Sequence, residues 1–360
     1  MKIIHYVEAF GGGVFFAISQ IANEQIKLGN EIIILFSRRW DTPNNIEKYF
    51  SDKIELIELP FSLTPNILYK HIRTLCSMIS NHNPDIIHAH SSYAGFFARI
   101  ILKNKDCKVF YTPHGLSILR KDLMKIYRYL ALLMEKIAHK SSGKVIGCSK
   151  SEMNIYKEKI SPSRVYYAHN AIPTDKISRF FINSMPELNK FIMVGRIVPQ
   201  KNPSLFIELK KHLLNKGVKG DFTWVGDGDS LWTKRLVSNG INVTGMLNRK
   251  EVWKIMSKST IFIQTSLWEG MPLTIMEAQC IGLPVVAKDT IGNIDTVIHG
   301  STGMFFNTID NAVKIIIKLL DKNNDNWKKI SDFSKDYAMQ NYSIKKQCEV
   351  LSEIYTNYEV

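Results

Sequence analysis

The sequence predicts an α/β protein built from two doubly wound parallel-sheet domains, and three observations carry that prediction. The chain has 360 residues, long for one hydrophobic core and comfortable for two. Its first part opens strand, glycine loop, helix, strand, which is how a doubly wound parallel sheet begins. A second strand–helix series starts near residue 189, after a stretch without periodicity. Apolar content of 45% and charged content of 22% are those of a globular protein. No apolar run approaches the roughly 20 residues that span a bilayer. The N-terminus enters a strand-like segment directly, without the apolar core and cleavage site of a signal peptide. Five cysteines (Cys76, Cys107, Cys148, Cys280, Cys348) are scattered and lack C-x-x-C spacing. They point to reduced thiols in cytoplasm and away from a zinc site or a disulfide framework.

Each element follows from period and punctuation. Residues 3–7 read as a buried strand. Gly11-Gly12-Gly13 follows, then 14–28 with helical apolar spacing, Gly29-Asn30 as a stop, and strand 31–36. The loop keeps Gly11-x-Gly13 of a dinucleotide fingerprint but carries Phe16 at the third glycine position. Tight-turn geometry fits it, and so does close approach of a diphosphate or an acceptor to bare backbone. Strand 53–59, helix 67–81, strand 85–90 and helix 93–102 continue the alternation, and strand 108–112 ends in Pro113-His114-Gly115. Ligands of open α/β sheets gather at the carboxyl ends of strands. His90 and His114 are therefore placed to face a cleft, although His90 reads first as a satisfied structural residue.

Residues 119–140 read as a basic amphipathic helix. Arg120, Lys121, Lys125, Arg128, Lys136 and Lys140 surround an apolar stripe of Leu123, Tyr127, Leu130, Met134 and Ile137, part of which must be core. Strand 145–148, helix 150–158 and strand 165–169 complete a first domain over 1–173, with Asn170 a turn former. Residues 174–188 read as a linker. The second domain, 189–340, runs strand 191–194, helix 204–214, strand 221–225, helix 231–237, strand 243–244, helix 250–258, strand 261–264, strand 285–287 and helix 312–320. Helical stretches over 324–340 and 343–358 close the chain. The net charge of +14 is uneven: residues 101–150 hold eleven Lys/Arg against three Asp/Glu. Such a patch suits nucleic acid, an anionic membrane face or an anionic substrate, or is a solvated face.

The stretch from Ser266 to Pro284 organises the second domain. Pro272 suits the first helical position, Leu273, Ile275, Met276 and Ala278 supply apolar content, and Gly282 with Pro284 stops the helix. The amides of Gly270, Met271, Pro272-flanked backbone and Leu273 lie at the partly positive helix start, which receives an anion or sugar hydroxyls. Glu269 stands in the loop and Glu277 in the second turn. Upstream, Val194-Gly195-Arg196 is followed by Lys201-Asn202. A guanidinium and an ammonium on a strand's end stabilise the charge that grows on a departing diphosphate.

Glu269-Gly-Met-Pro-Leu with Glu277-Ala resembles the E-x7-E segment of the family-four retaining glycosyltransferases of GT-B architecture. Gly195-Arg196 with Lys201 resembles that family's G-R-x4-K motif, Thr112-Pro-His114-Gly its first-domain histidine motif, and Asn170-Ala-Ile-Pro its P-N-G-[IV] turn with two substitutions. The resemblance implies two Rossmann-like domains facing a central cleft, with a last helix over 341–360 crossing back to the first. It implies that Glu269, Gly270, Met271, Pro272, Leu273 and His114 hold the donor sugar and that Glu277 holds the ribose. Arg196 and Lys201 then meet the diphosphate, Gly245 and Met246 meet the base, and Gly12 and Gly13 lie close to the ligands. The E-x7-E family retains anomeric configuration, with the leaving phosphate deprotonating the acceptor, so Glu269 is not required as a nucleophile. Asp227-Gly-Asp229 invites comparison with the D-x-D of metal-dependent glycosyltransferases. It reads instead as a strand-to-helix turn rich in residues that tolerate the left-handed conformation, and it looks like the G-D-G turn of this family; Arg196 and Lys201 make a metal unnecessary.

The expectation is therefore a cytoplasmic enzyme, peripheral on the inner face of the membrane through its basic helix. It moves a hexose or HexNAc from a nucleotide-sugar donor, with UDP expected, to a polyprenyl-diphosphate-linked or other glycan acceptor in surface polysaccharide (O-antigen or capsule) synthesis. It needs no cofactor or metal and binds no nucleic acid. Competing readings are a sugar-nucleotide epimerase or hydrolase on the same scaffold, a nicotinamide oxidoreductase and a basic nucleic-acid-binding protein. The oxidoreductase expects an acid after the second strand, where the chain has Phe36-Ser37-Arg38.

Overall fold

Buried parallel strands alternating with helices dominate the computed structural model, which describes residues 1–102 and 107–357. Residues 103–106 of the basic stretch, and residue 358 with the rest of the expected C-terminal segment, lie outside the described residues. The chain divides into two units, Met1–Ala171 joined by the segment from Ile344, and Ile172–Ser343.

The first unit runs β1 (Lys2–Val7), α1 (Gly12–Lys27), β2 (Glu31–Phe36), β3 (Glu55–Glu58), α2 (Pro65–His82), β4 (Ile86–His90) and α3 (Ser92–Ile101). It continues with β5 (Lys108–Thr112), α4 (Lys125–Ser141), β6 (Lys144–Gly147), α5 (Lys150–Lys159) and β7 (Val165–Tyr167). Its strands form one sheet in the order β3-β2-β1-β4-β5-β6-β7, every described pairing parallel. Both faces of a parallel sheet are covered, so its strands read as continuous apolar runs and their side chains alternate between two cores. Ile3, Val7, Ile32, Ile34 and Phe36 enter one core with Phe15, Ile18 and Ile21 of α1. Ile4, Tyr6, Ile33 and Leu35 enter the other with Leu75 and Ile79 of α2 and Ala94 and Ala98 of α3.

The second unit runs α6 (Thr174–Ile177), β8 (Lys190–Val194), α7 (Pro203–Asn215), β9 (Asp221–Val225), α8 (Ser230–Ser238), β10 (Asn242–Val243) and α9 (Arg249–Met256). Then come β11 (Ile261–Gln264), α10 (Leu273–Ile281), β12 (Val285–Lys288), β13 (Met304–Phe306), α11 (Ile309–Leu320) and α12 (Asn326–Asn341). The sheet order is β10-β9-β8-β11-β12-β13. Phe191, Met193, Phe222, Trp224, Ile261 and Ile263 fill its main core with Phe206 and Leu209 of α7 and Ile316 of α11. The last helix, α13 (Ile344–Thr356), returns to the first unit, where Cys348, Leu351 and Tyr355 complete the core around α1.

Four expectations change. The helix expected over 119–140 starts at Lys125. Arg120 turns back on Asp122 with two hydrogen bonds of 3.2 and 2.7 Å, and that turn keeps Arg120 and Lys121 out of the helix. The apolar stripe expected to be part core is largely outside: Tyr127, Leu130 and Ile137 are 52%, 45% and 48% exposed, while Glu135, Ala138 and His139 face inward. The glycine loop is shorter than expected, because α1 already includes Gly12 and Gly13, with Phe15 N–H donating to the Gly11 carbonyl at 3.2 Å. The 174–188 stretch is not bare chain: α6 lies in it, with Thr174, Ile177 and Ile182 buried.

The polar side of α4 is bound to the unit by a buried network. The Arg99 guanidinium donates to Glu135 Oε2 at 2.7 Å, to the Tyr156 hydroxyl at 2.9 Å and to the Gly95 carbonyl at 2.8 Å. It lies over the Tyr111 ring at 4.3 Å, and the Tyr111 hydroxyl donates to Glu135 Oε1 at 2.8 Å. Such charge-assisted contacts suit a site where neither ion meets water.

Candidate active site

In an open α/β sheet the crevice for ligands opens where the strand order reverses. In the second unit β8 and β11 are the neighbours at that point, and the loops after them carry Arg196 and Lys201, and Glu269. Glycine lets the loops converge. Gly226, at φ +146°, lies so close to the Gly195 carbonyl that a Cβ there would sit 2.1 Å from its oxygen. Ile197 N–H donates to the Asp227 carbonyl and Asp229 N–H to the Ile197 carbonyl, both at 2.8 Å. Backbone then joins the loop after β8 to the loop after β11. Leu267 N–H donates to the Gln200 carbonyl at 2.8 Å and the Thr265 hydroxyl to the Lys201 carbonyl at 2.6 Å. The Gln200 side-chain amide donates to the Trp268 carbonyl at 2.9 Å.

This stitching brings Lys201 Nζ to 2.6 Å from Glu269 Oε1, with the Gln264 side-chain amide donating to the same oxygen at 3.2 Å. Glu269 is 8% exposed. Its backbone is pressed by Gly292, where φ is +86° and a Cβ would lie 2.6 Å from the Glu269 carbonyl. Arg196 follows directly on Gly195, against which the Lys201 side chain lies. One cation and one carboxylate are thus paired in the loop that leads into α10, with Arg196 on the loop that carries Lys201.

Pro272 is the cap residue of α10, not its first helical residue, because its ψ of 114° is extended. No side chain caps this start, which leaves the positive end of the helix for a ligand. Eight of the nine residues of α10 are buried, and Gly282 (φ 76°) closes it. This is a central helix and not a surface one. Glu277, 2% exposed, has the Arg249 guanidinium 3.1 Å from its Oε2. Burial raises the Glu277 pKa, and Arg249 opposes the rise. Gly245 bridges to Gly226 and so joins the same loop cluster, and Met246, next in the chain, is 58% exposed. Asp229 caps α8 by accepting from Trp232 N–H at 2.9 Å, and Asp227 accepts from Gly228 N–H at 2.8 Å. Both carboxylates are engaged by their own turn, as the turn reading requires.

The first unit carries Gly12, Gly13 and His114. Gly11 lies against the Asp41 carboxylate. At the end of β1, Glu8 accepts hydrogen bonds from the Ser91 hydroxyl and from Ala94 N–H at the start of α3, and burial raises its pKa. The Glu152 carboxylate holds the turn after β5, accepting from Gly115 N–H at 2.7 Å and Cys148 N–H at 2.9 Å. His114 itself takes φ +55°, a left-handed conformation that costs a side-chain-bearing residue energy. His90 is fully buried, as its first reading as a satisfied structural residue expects, and does not face a cleft. It shares a hydrogen bond with His114 (2.9 Å) and another with His5 (2.9 Å), and His5 shares one with Gln25 Oε1 (2.7 Å). Burial lowers the pKa of His5 and His114 to about 4 and that of His90 well below 6.5. His5, His88 and His90 bring ring nitrogens within 4.8 Å of one another, the spacing of a metal site. Every one of those nitrogens has a hydrogen-bond partner, His88 using the Tyr355 hydroxyl and Thr112 Oγ1.

Glu8, Asp41, Gln264 and Arg249 escape sequence reasoning, because strand register and loop convergence bring them in rather than local spacing. His5 left a faint signal: it sits across from His88 in the β1–β4 register.

Two parallel-sheet units of this kind are the architecture of GT-B glycosyltransferases. The chain superposes on sucrose-phosphate synthase of Thermosynechococcus elongatus with a TM-score of 0.85 at 14% identity, covering 99% of each chain. It superposes on Anabaena HepE in complex with UDP-glucose with a TM-score of 0.81 at 15% identity, covering 99% of this chain and 100% of that one. Residues 11–176 match the family described as Glycosyltransferase Family 4, and residues 175–337 match Glycosyl transferases group 1. The chain belongs to the family-four glycosyltransferases. One relative, the UDP-Gal:alpha-D-GlcNAc-diphosphoundecaprenol alpha-1,3-galactosyltransferase of Escherichia coli, is 28% identical over 348 residues, 87% of this chain and 86% of that protein.

Proposed function

We propose that this glycosyltransferase moves a hexose or N-acetylhexosamine from a UDP-activated donor, with retention of configuration, to a sugar on a polyprenyl diphosphate. The observation that carries the reading is the Lys201–Glu269 pair at 2.6 Å beside the uncapped start of α10, with Arg196 on the adjoining loop. As the bond from the sugar's anomeric carbon to the diphosphate oxygen breaks, negative charge grows on the diphosphate. Arg196, Lys201 and the helix start receive it without a metal. The acceptor hydroxyl attacks from the face the leaving group vacates, and its proton passes to the departing phosphate oxygen. Glu269 accepts hydrogen bonds from hydroxyls of the transferred sugar, and Glu277 does the same for the ribose. The donor and the lipid-linked acceptor are suggested by the name of the Escherichia coli relative.

The test separates the two carboxylates. Glu269→Gln should lower transfer about 100-fold with nucleotide affinity held within a few-fold, since it acts where the transition state forms. Glu277→Ala should weaken nucleotide binding about tenfold or more, the loss of a charged hydrogen-bond acceptor. Calorimetric titration with UDP beside initial rates reads both. Equal losses of UDP affinity in the two variants would contradict the assignment.

We also place the enzyme on an anionic membrane face through α4. Among the described residues no helix is long and apolar enough to cross a membrane. The outward side of α4 carries Ile126, Tyr127, Tyr129, Leu130, Leu133 and Ile137, all exposed, beside Lys125, Lys136 and Lys140. Aromatic and aliphatic groups interleaved with lysines suit the boundary between anionic headgroups and acyl chains, each cation contributing ~1 kcal/mol there. Flotation with phosphatidylglycerol vesicles should recover the protein and phosphatidylcholine vesicles should not. Changing the three lysines to Glu should abolish recovery, and binding that survives the change would remove α4 as the anchor.

A further inference from the structure

The hydrogen bonds from Gln25 to His114 form one unbranched line through the first unit, and a line of neutral imidazoles has a direction. Gln25 turns Oε1 to His5 Nε2 at 2.7 Å, and its side chain also meets that of Tyr355. His5 must then carry its proton on Nε2, which leaves Nδ1 a lone pair, because a neutral imidazole has one donor and one acceptor nitrogen. That lone pair, 2.9 Å from His90 Nε2, requires the His90 proton on Nε2. His90 Nδ1 in turn lies 2.9 Å from His114 Nε2 and requires the proton there. Each ring is thereby fixed in one tautomer by the ring behind it. The rings stack at 5.2 Å between centroids at both steps. Burial keeps all three uncharged near neutral pH.

We propose that Gln25, His5 and His90 are positioning residues that present His114 with a bare Nδ1, so that His114 selects a sugar hydroxyl as hydrogen-bond donor and disfavours a deoxy position or a carboxylate. The reading rests on the proposed sugar transfer for its ligand, but the tautomer does not. The left-handed backbone of His114, held by Glu152 through Gly115 N–H, is the strain spent in aiming this ring. A deoxy sugar would leave Nδ1 unpaired, and a carboxylate would set lone pair against lone pair.

Two measurements on the full chain test this. Long-range proton–nitrogen correlation spectra with ¹⁵N-labelled histidine, assigned with His114→Asn, should show His114 protonated on Nε2 and bare on Nδ1. A proton on Nδ1 overturns the proposal. Kinetics then compare His90→Leu with His90→Gln, whose amide can still donate to His5 and accept from His114. UDP-galactose is used with its monodeoxy analogues in one arm, and a synthetic GlcNAc-diphosphate lipid with its monodeoxy analogues in the other. In the unaltered enzyme one analogue should fall behind its parent by about tenfold or more, and its arm identifies whether donor or acceptor supplies the hydroxyl. His90→Leu should shrink that preference to within about threefold, and His90→Gln should restore it. Preference retained in His90→Leu with the melting temperature of the unaltered enzyme would overturn the proposal. A bare Nδ1 in a protein that transfers no sugar would defeat the transferase reading and the hydroxyl selection together, leaving only the tautomer assignment.

Discussion

Lys201→Met should lower kcat/KM by about 10²- to 10³-fold, the scale on which removing one preorganised group that meets developing charge is felt. The Met side chain keeps the length and apolar stem of lysine, so the loss isolates the ammonium. Two effects act together. In the proposed reaction the diphosphate loses one of its two cations, and Glu269, 8% exposed, loses the ion 2.6 Å from its Oε1. Lys201→Arg should recover part of the rate, because a guanidinium delivers charge but not the same reach past Gly195, where Lys201 Cε would lie 3.0 Å from a Cβ. Initial rates with a lipid-linked acceptor, beside melting temperatures, provide the check. A loss of less than about tenfold would remove Lys201 from the leaving-group machinery.

The second large effect is on stability. Glu135→Ala should destabilise the first unit by about 3–5 kcal/mol, because it leaves the Arg99 charge buried without its counter-ion. Arg99 has no exposed surface, and its guanidinium is shared among Glu135, Tyr156, Gly95 and the Tyr111 ring. Replacing both ions, Arg99→Met with Glu135→Leu, should be far milder, since the cost of removing two charges from water is avoided together with their attraction. Urea denaturation of the unaltered chain, Arg99→Met, Glu135→Leu and their combination closes the double-mutant cycle, with Glu135→Ala measured beside it. Equal destabilisation by the single and the double replacements would mean that packing, not charge, is what Glu135 supplies.

The architecture was legible because parallel strands advertise themselves. β5, β9 and β11 begin and end where the apolar runs do, and the glycine and proline punctuation located α10 to within a residue. β13 was missed, since three residues between turns are too short for any period to register. α4 shows a deeper limit. Its spacing was read correctly as amphipathic, yet the face that packs carries Glu135 and His139 while the apolar face is outside. Hydrophobicity cannot reveal this inversion, because it depends on an arginine 36 residues earlier reaching the same spot. The motif residues around α10 announced themselves by local spacing. Arg249 beside Glu277 did not, since only folding makes them neighbours.

The way α13 completes the first unit also has a meaning for synthesis. The second unit is one continuous piece of chain, whereas the core around α1 needs Cys348, Leu351 and Tyr355. On the ribosome, the half that is translated first is therefore the last to be sealed. Until the final turn emerges, the groove of α1 beside Ile18, Ile21 and Ala22 stays open to chaperones and neighbouring nascent chains, and truncation by a few turns at the far end harms the near one.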